Sequence, residues 1–287
     1  MPKSNISSSQ LLKEIALLPI RERRRFIVKQ NYKVFLYKYY SCSAPEYLSS
    51  IVCDSNLWLS SPQSFNDPFD MKWIYTVDRN PARRRERLKG ILQNNPDIAQ
   101  KTWKLRQRQI DQLTLDPEGL ETRVMESSVK HAGMAGVCCL SQDPREILMW
   151  SHYADQHKGL VLQFDVSINP EVFLQAISVE YSADYPVIEW TDPQENALKV
   201  GLLRKFESWG YEQERRIIRP GLANSFLPFK PSALTGIILG CRFPNEQLPM
   251  IEKILKDREL KGFSMPIIYS ARQDRCSYGL KIFKRVN

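Results

Sequence analysis

Trp209-Gly-Tyr-Glu-Gln-Glu-Arg-Arg-Ile-Ile-Arg219 is the stretch on which the reading of this chain turns. The run reads as a strand, in which successive side chains point to opposite faces, so Glu212, Glu214 and Arg216 would share one face. Two strand steps put the two glutamate Cα atoms about 6.5–7 Å apart. Like charges side by side are unfavourable unless water, a cation or a ligand relieves them. Such a pair can do general acid–base work, hold a metal, or stabilise a developing positive charge. The same residues also fit an exposed strand whose glutamates pair with Arg215, Arg216 or Arg219, and both readings stand open at this point.

Working outward, Val34-Phe-Leu-Tyr-Lys-Tyr-Tyr40 is rich in β-formers and predicts the first strand. A helix opened by Pro45 follows, with Leu48, Ile51 and Val52 on one side, and then a strand over Leu57-Trp-Leu-Ser-Ser61. Two prolines and Asn-Asp-Pro make 62–70 a loop. Residues 81–131, dense in Arg, Lys and Gln, predict a helical insertion with breaks near Pro96 and Pro117. Gly136-Val-Cys-Cys-Leu-Ser141 predicts a buried strand. Asp143, Pro144 and Glu146 fit an N-cap, first turn and capping box for a helix running through Ala154 and ending near Gly159. Strands are expected at 160–165 and 177–181, and a helix over 197–208. A strand (235–240), a helix (245–260) and two strands (265–270, 279–286) close the chain. Strands outnumber helices without regular alternation. The expected fold is therefore α+β, a bent and mostly antiparallel sheet in one domain over 31–287, behind a basic lead-in over 1–30 with a short helix around Leu11–Leu18.

The 287 residues carry 41 Lys+Arg against 32 Asp+Glu, a net charge of +9 that favours a polyanionic partner. Two arginine clusters stand out: Arg21, Arg23, Arg24 and Arg25, then Arg83, Arg84, Arg85 and Arg87. Solvated helix faces explain them as well as nucleic-acid contact does, and a protein partner through the insertion is equally open. The first residues are polar and lack the apolar run of a secretory signal. No segment nears the roughly 20 apolar residues that span a membrane. The six cysteines form no C-x-x-C pair, which fits free thiols in a cytoplasmic setting. His131, His152 and His157 lack metal-ligand spacing, so no metal is expected.

Two further segments concentrate polar groups. Asn66, Asp67 and Asp70 sit beside Phe65 and Phe69, as either an Asx-turn locked by Pro68 or a pocket wall that orients a ribose or binds a cation. Met149, His152 and Tyr153 fall near one another on one short helix. Beside an acidic partner His152 would act as a general acid or base.

Taken together, Leu36-Tyr-Lys-Tyr39, Leu57-Trp-Leu-Ser-Ser-Pro62, Phe65-Asn-Asp-Pro-Phe-Asp70, Leu140-Ser141, Ile147-Leu-Met-Trp-Ser-His-Tyr-Ala154, Lys158-Gly159, and Lys205 with Trp209, Tyr211, Glu212, Glu214 and Arg216 resemble the bacterial family known as domain of unknown function 2971, over about 34–285. More distantly, the order of elements is similar to the ADP-ribosyltransferase layout, with a late strand bearing the catalytic glutamate. That resemblance implies NAD as substrate and a setting in bacterial defence or toxicity. It implies Tyr37, Lys38 or Tyr39 at the nicotinamide ribose or phosphates, and Ser141 or Ser60 supporting the pocket. Asn66, Asp67 and Tyr153 complete the NAD-contacting set, and Glu214, Glu212 and His152 the catalytic one. The chain departs from the layout in lacking an arginine or histidine on the first strand. The alternatives are a metal-dependent nuclease or phosphodiesterase gathering Mg²⁺ with Asp67, Asp70, Glu212 and Glu214, and a non-catalytic module binding nucleic acid or protein.

Overall fold

The computed structural model describes Glu22 and residues 34–43, 45–93, 102–190 and 200–285. The run from Arg21 to Arg25, the helix expected around Leu11–Leu18 and the break expected near Pro96 lie outside the described residues, Glu22 apart. In chain order the first elements are β1 (Phe35–Tyr40), α1 (Pro45–Asp54), β2 (Asn56–Leu59), β3 (Ile74–Thr76), α2 (Pro81–Gln93), α3 (Trp103–Leu115) and α4 (Pro117–Gly133). Then come β4 (Gly136–Ser141), α5 (Ile147–Tyr153), β5 (Leu160–Asp165), α6 (Pro170–Phe173), β6 (Ile177–Ser178), β7 (Glu180–Ser182), β8 (Val187–Glu189) and β9 (Arg204–Phe206). The chain continues with β10 (Glu214–Arg219), β11 (Ser225–Pro228), β12 (Leu234–Leu239), α7 (Leu248–Leu260), β13 (Ile267–Gln273) and β14 (Leu280–Lys284). The chain divides into two compact units, one of Met1–Ser61, Ala135–Val179 and Ser208–Asn287, the other of Pro62–Met134 and Glu180–Glu207.

The first unit is built on an eight-stranded sheet in the order β14-β13-β12-β5-β1-β4-β10-β6. Every neighbouring pair is antiparallel except β12–β13. The protein is thus mixed α+β with a large, mostly antiparallel sheet, as its sequence predicts. Strand alternation deals the side chains to two cores. On one face Leu36, Leu140, Leu162, Phe164 and Ile217 pack with Leu48, Ile51 and Val52 of α1 and with Ile251 and Ile254 of α7. On the other, Tyr37, Tyr39, Val161 and Ile238 pack with Met149 and Trp150 of α5. Because β5 is covered on both faces, its sequence reads as a nearly continuous apolar run.

Four expectations are corrected. The 209–219 stretch is only half a strand: Glu207–Glu212 is a 3-10 helix, Gln213 takes a left-handed φ of 45°, and β10 begins at Glu214. Gln213 N–H turns back to the Gly210 carbonyl, which breaks the two-residue alternation between the glutamates. The helix expected over 197–208 is also shorter. Residues 200–203 are helical, but β9 pairs in parallel with β7, and tertiary pairing overrides local propensity. The strand expected at 177–181 splits between two partners, with β6 on β10 and β7 on β9. Finally, the Asp143 carboxylate accepts from Arg145 N–H at 2.8 Å in an Asx-turn, so α5 starts later. Glu146 is its N-cap, accepting from Leu148 N–H at 3.0 Å.

The second unit contains the helical insertion expected at 81–131, together with the parallel pairs β3–β8 and β7–β9. Val77, Leu88, Ile110 and Leu120 form its core. The break between α3 and α4 falls at Asp116-Pro117, where Asp116 caps α4 by accepting from Gly119 N–H. Arg84 is buried here and donates to the carbonyls of Thr114 and Asp78, which withdraws it from the basic surface read in the sequence. Arg83 pairs with Asp78 and Arg85 with Asp111, while Arg87 is exposed. Among the described residues, no helix is long and apolar enough to cross a membrane.

The turn from α5 into β5 is tight. Asp155, Gln156 and His157 are consecutively left-handed, with φ of 46°, 53° and 69°. Gly159 closes the turn, donating to the Ala154 carbonyl and accepting from Gly240 N–H. A Cβ on Gly159 would stand 2.1 Å from the Tyr40 carbonyl oxygen. Gly159→Ala is therefore expected to lower stability by about 1–3 kcal/mol through overpacking. Thermal unfolding checks this, and an unchanged midpoint would contradict so close an approach.

Candidate functional site

Three adjacent strands of the first unit set three polar side chains in a row. β4 lies between β1 and β10, with Tyr37 opposite Ser141 and Ser141 opposite Glu214. Cross-strand partners share a face, so the three side chains stand side by side. Two residues along, Tyr39, Cys139 and Arg216 continue on the same face. This is the face covered by α5.

Glu214 is 5% exposed and Arg216 0%. The guanidinium grips the carboxylate in a fork, Nε to Oε1 at 2.7 Å and Nη2 to Oε2 at 2.9 Å. Bidentate, charge-assisted pairs of this kind are strong and geometrically specific. Cys139 adds a thiol hydrogen bond to Glu214; burial and then the Glu214 charge hold that thiol well above its ordinary range, so it stays a donor.

Glu212 reaches the site from the 3-10 segment and is 2% exposed. Tyr153 O–H, from α5, donates to its Oε1 at 2.6 Å, and Ser141 O–H donates to its backbone carbonyl at 2.7 Å. The loop entering α5 is nailed down from the same side. Tyr39 O–H donates to the Asp143 carbonyl at 2.7 Å, and Trp150 Nε1–H to the Pro144 carbonyl at 2.8 Å. Burial pushes the Tyr37 hydroxyl up to about 12 and raises that of Tyr39 as well, so both are protonated donors at neutral pH. His152 is exposed and sits among aromatic rings, 6.2 Å from Tyr211 and 6.3 Å from Trp209 and Tyr153. Its neighbours are these rings, met edge-on or tilted, rather than the carboxylate contact expected of a general base.

Of the residues singled out in the sequence, Tyr37, Tyr39, Ser141, Tyr153, Glu212 and Glu214 are joined by this network and face. Lys38 falls on the opposite face by alternation and donates to the Cys139 carbonyl at 3.4 Å. Ser60 bridges Val137, four residues back along β4 from Ser141, a separation of about 13 Å by strand rise. Asn66 and Asp67 belong to the second unit, where the Asp67 carboxylate accepts from Phe69 N–H at 2.9 Å in an Asx-turn. Asp70 there forms a buried pair with Lys205 at 3.4 Å. Among the described residues, no group of three or more His, Cys, Asp or Glu side chains is placed to hold a metal ion. Cys139 and the aromatic pair Trp209–Tyr211 were not singled out as site residues from sequence. Parity of alternation could have found Cys139, since it stands two residues before Ser141.

Comparison with known proteins gives no match to a family model, a curated protein or a solved structure. The resemblances to domain of unknown function 2971 and to ADP-ribosyltransferases rest on the residues quoted above.

Proposed function

We propose that the first unit is an ADP-ribosyltransferase-like domain that consumes NAD, transferring ADP-ribose to a protein, a nucleic acid or a small acceptor, or to water. The observation that carries this reading is the row Tyr37–Ser141–Glu214 across three adjacent strands. Cleavage of the nicotinamide glycosidic bond builds an oxocarbenium-like cation on the ribose. A fixed carboxylate beneath it stabilises that charge, as carboxylates do in glycoside hydrolysis. In this reading Glu214 carries that role. Glu212, oriented by Tyr153, takes the proton of the attacking nucleophile. Tyr37 supplies a neutral O–H donor to the ribose, and the Trp209–Tyr211–His152 rings a stacking surface for a planar base. Lys38 takes no part, being on the other face.

The Arg216 fork favours a second reading, in which Glu214 is a folding contact in a non-catalytic binding module. Nicotinamide release from NAD by the purified full chain, with and without EDTA and with protein, RNA or water as acceptor, separates the two. Release that survives EDTA is expected. No release under any acceptor condition would leave the binding module, and loss with EDTA would point to the metal-dependent alternative.

A further inference from the structure

A second cluster of reactive groups lies around Ser151 and the turn that follows α5, and the site above makes no use of it. His157 Nε2 stands 3.1 Å from Ser151 Oγ, and His157 Nδ1 stands 3.7 Å from Cys241 Sγ. The Ser151 hydroxyl proton is already committed to the Ile147 carbonyl at 3.0 Å. Ser151 Oγ must therefore accept from His157, which puts the imidazole proton on Nε2 and leaves Nδ1 as an acceptor facing the thiol. The chain of donors runs Cys241 to His157 to Ser151 to Ile147, each group satisfied in one direction.

The histidine is held in place from several sides. Its backbone is left-handed at φ 69°, its N–H donates to the Trp150 carbonyl, and its carbonyl accepts from Arg242 N–H. A Cβ on Gly240 would lie 2.0 Å from that carbonyl oxygen, so the strand end closes directly on it. The ring stacks on Trp150 at 6.3 Å and 10°. Ser151 is exposed, and His157 and Cys241 are half-buried, so the cluster lies at the surface of the unit.

We propose that Cys241 and His157 form a thiol–imidazole dyad that reacts with a peroxide, with Ser151 as the positioning residue. A nucleophile, a base in reach of it and a third group fixing the base's tautomer are the parts such chemistry needs. Cys241 Sγ attacks one peroxide oxygen and the O–O bond breaks. The thiol proton passes to His157 Nδ1 and on to the departing oxygen, which leaves as water. The sulfur is oxidised by two electrons to a sulfenic acid, and the peroxide is reduced. A peroxide suits the site because it is compact enough for a half-buried sulfur and its leaving oxygen needs a proton. Burial lowers the His157 imidazolium and raises the Cys241 thiol, so the resting pair is neutral and the proton moves during attack.

The test treats the full-length chain with hydrogen peroxide and a sulfenic-acid-trapping dione, and reads each cysteine by mass spectrometry. Cys276, an exposed free thiol, is the internal reference. Cys241 is expected to label faster than Cys276, and His157→Gln to slow Cys241 by about 10²-fold, the lower range of base catalysis, while sparing Cys276. In ¹⁵N spectra the His157 ring should show Nε2–H in the wild type. Ser151→Ala should mix the tautomers and slow labelling, and Ser151→Thr should restore both. Cys241 labelling no faster than Cys276 would overturn the proposal, as would a His157→Gln rate equal to wild type. If His157→Gln fails to fold, the wild-type ratio and the Ser151 pair decide.

Discussion

Glu214→Gln is expected to lose about 3–5 kcal/mol of stability, the scale of breaking a buried ion pair by removing one partner. The fully buried Arg216 would remain charged and lose a fork of two charge-assisted bonds. From sequence, this substitution looks like an isosteric change that removes charge and little else; the structure makes it a folding lesion too. Replacing both residues, Glu214→Leu with Arg216→Met, should recover most of the loss, because a buried pair exchanged for apolar groups of similar volume is often neutral or better. Urea unfolding of Glu214→Leu, of Arg216→Met and of the double variant checks this. Additive losses in the double variant would contradict the coupling.

Trp150→Ala should cost about 3–5 kcal/mol, as large-to-small changes at buried aromatics do. Trp150 is fully buried, packs its edge on Tyr39 at 5.5 Å, and stacks on His157. Its Nε1–H also holds the Pro144 carbonyl, whose loss of a partner adds to the cavity. One residue thus braces both the loop beside Ser141 and the His157 ring. The variant should therefore disturb the Glu212 side and the Cys241 side together, whereas Trp150→Phe should spare the packing more than the loop. Chemical denaturation reads the stability, and a loss under about 1 kcal/mol would show that the cavity collapses around the site.

The strands that make the central sheet were legible because their patterns are local. The β-formers of β1 and the apolar runs of β4 and β5 announce themselves, and so does the proline break at Asp116-Pro117. What failed depended on distant partners. Nothing in Gly-Tyr-Glu-Gln-Glu signals that Gln213 turns left-handed, and β9 is a strand because β7 lies beside it. Sequence alone offered Tyr37, Lys38 and Tyr39 as equals; only the pairing of Tyr37 with Ser141 picks the face and sets Lys38 aside. Arg84 was readable in principle, since Leu88 one turn on shares its buried side of α2. Ser151, His157 and Cys241 were not, because a strand end returning from another part of the chain brings Cys241 to the histidine.

The most direct test of the account is nicotinamide release from NAD, compared between wild type and Glu214→Gln at a temperature where circular dichroism shows both folded. Measurable release by the wild type is expected, with a fall of about 10²–10³-fold in the variant, the usual effect of removing one preorganised electrostatic partner. Equal rates in the two folded proteins, or no release by the wild type with any acceptor, would contradict it.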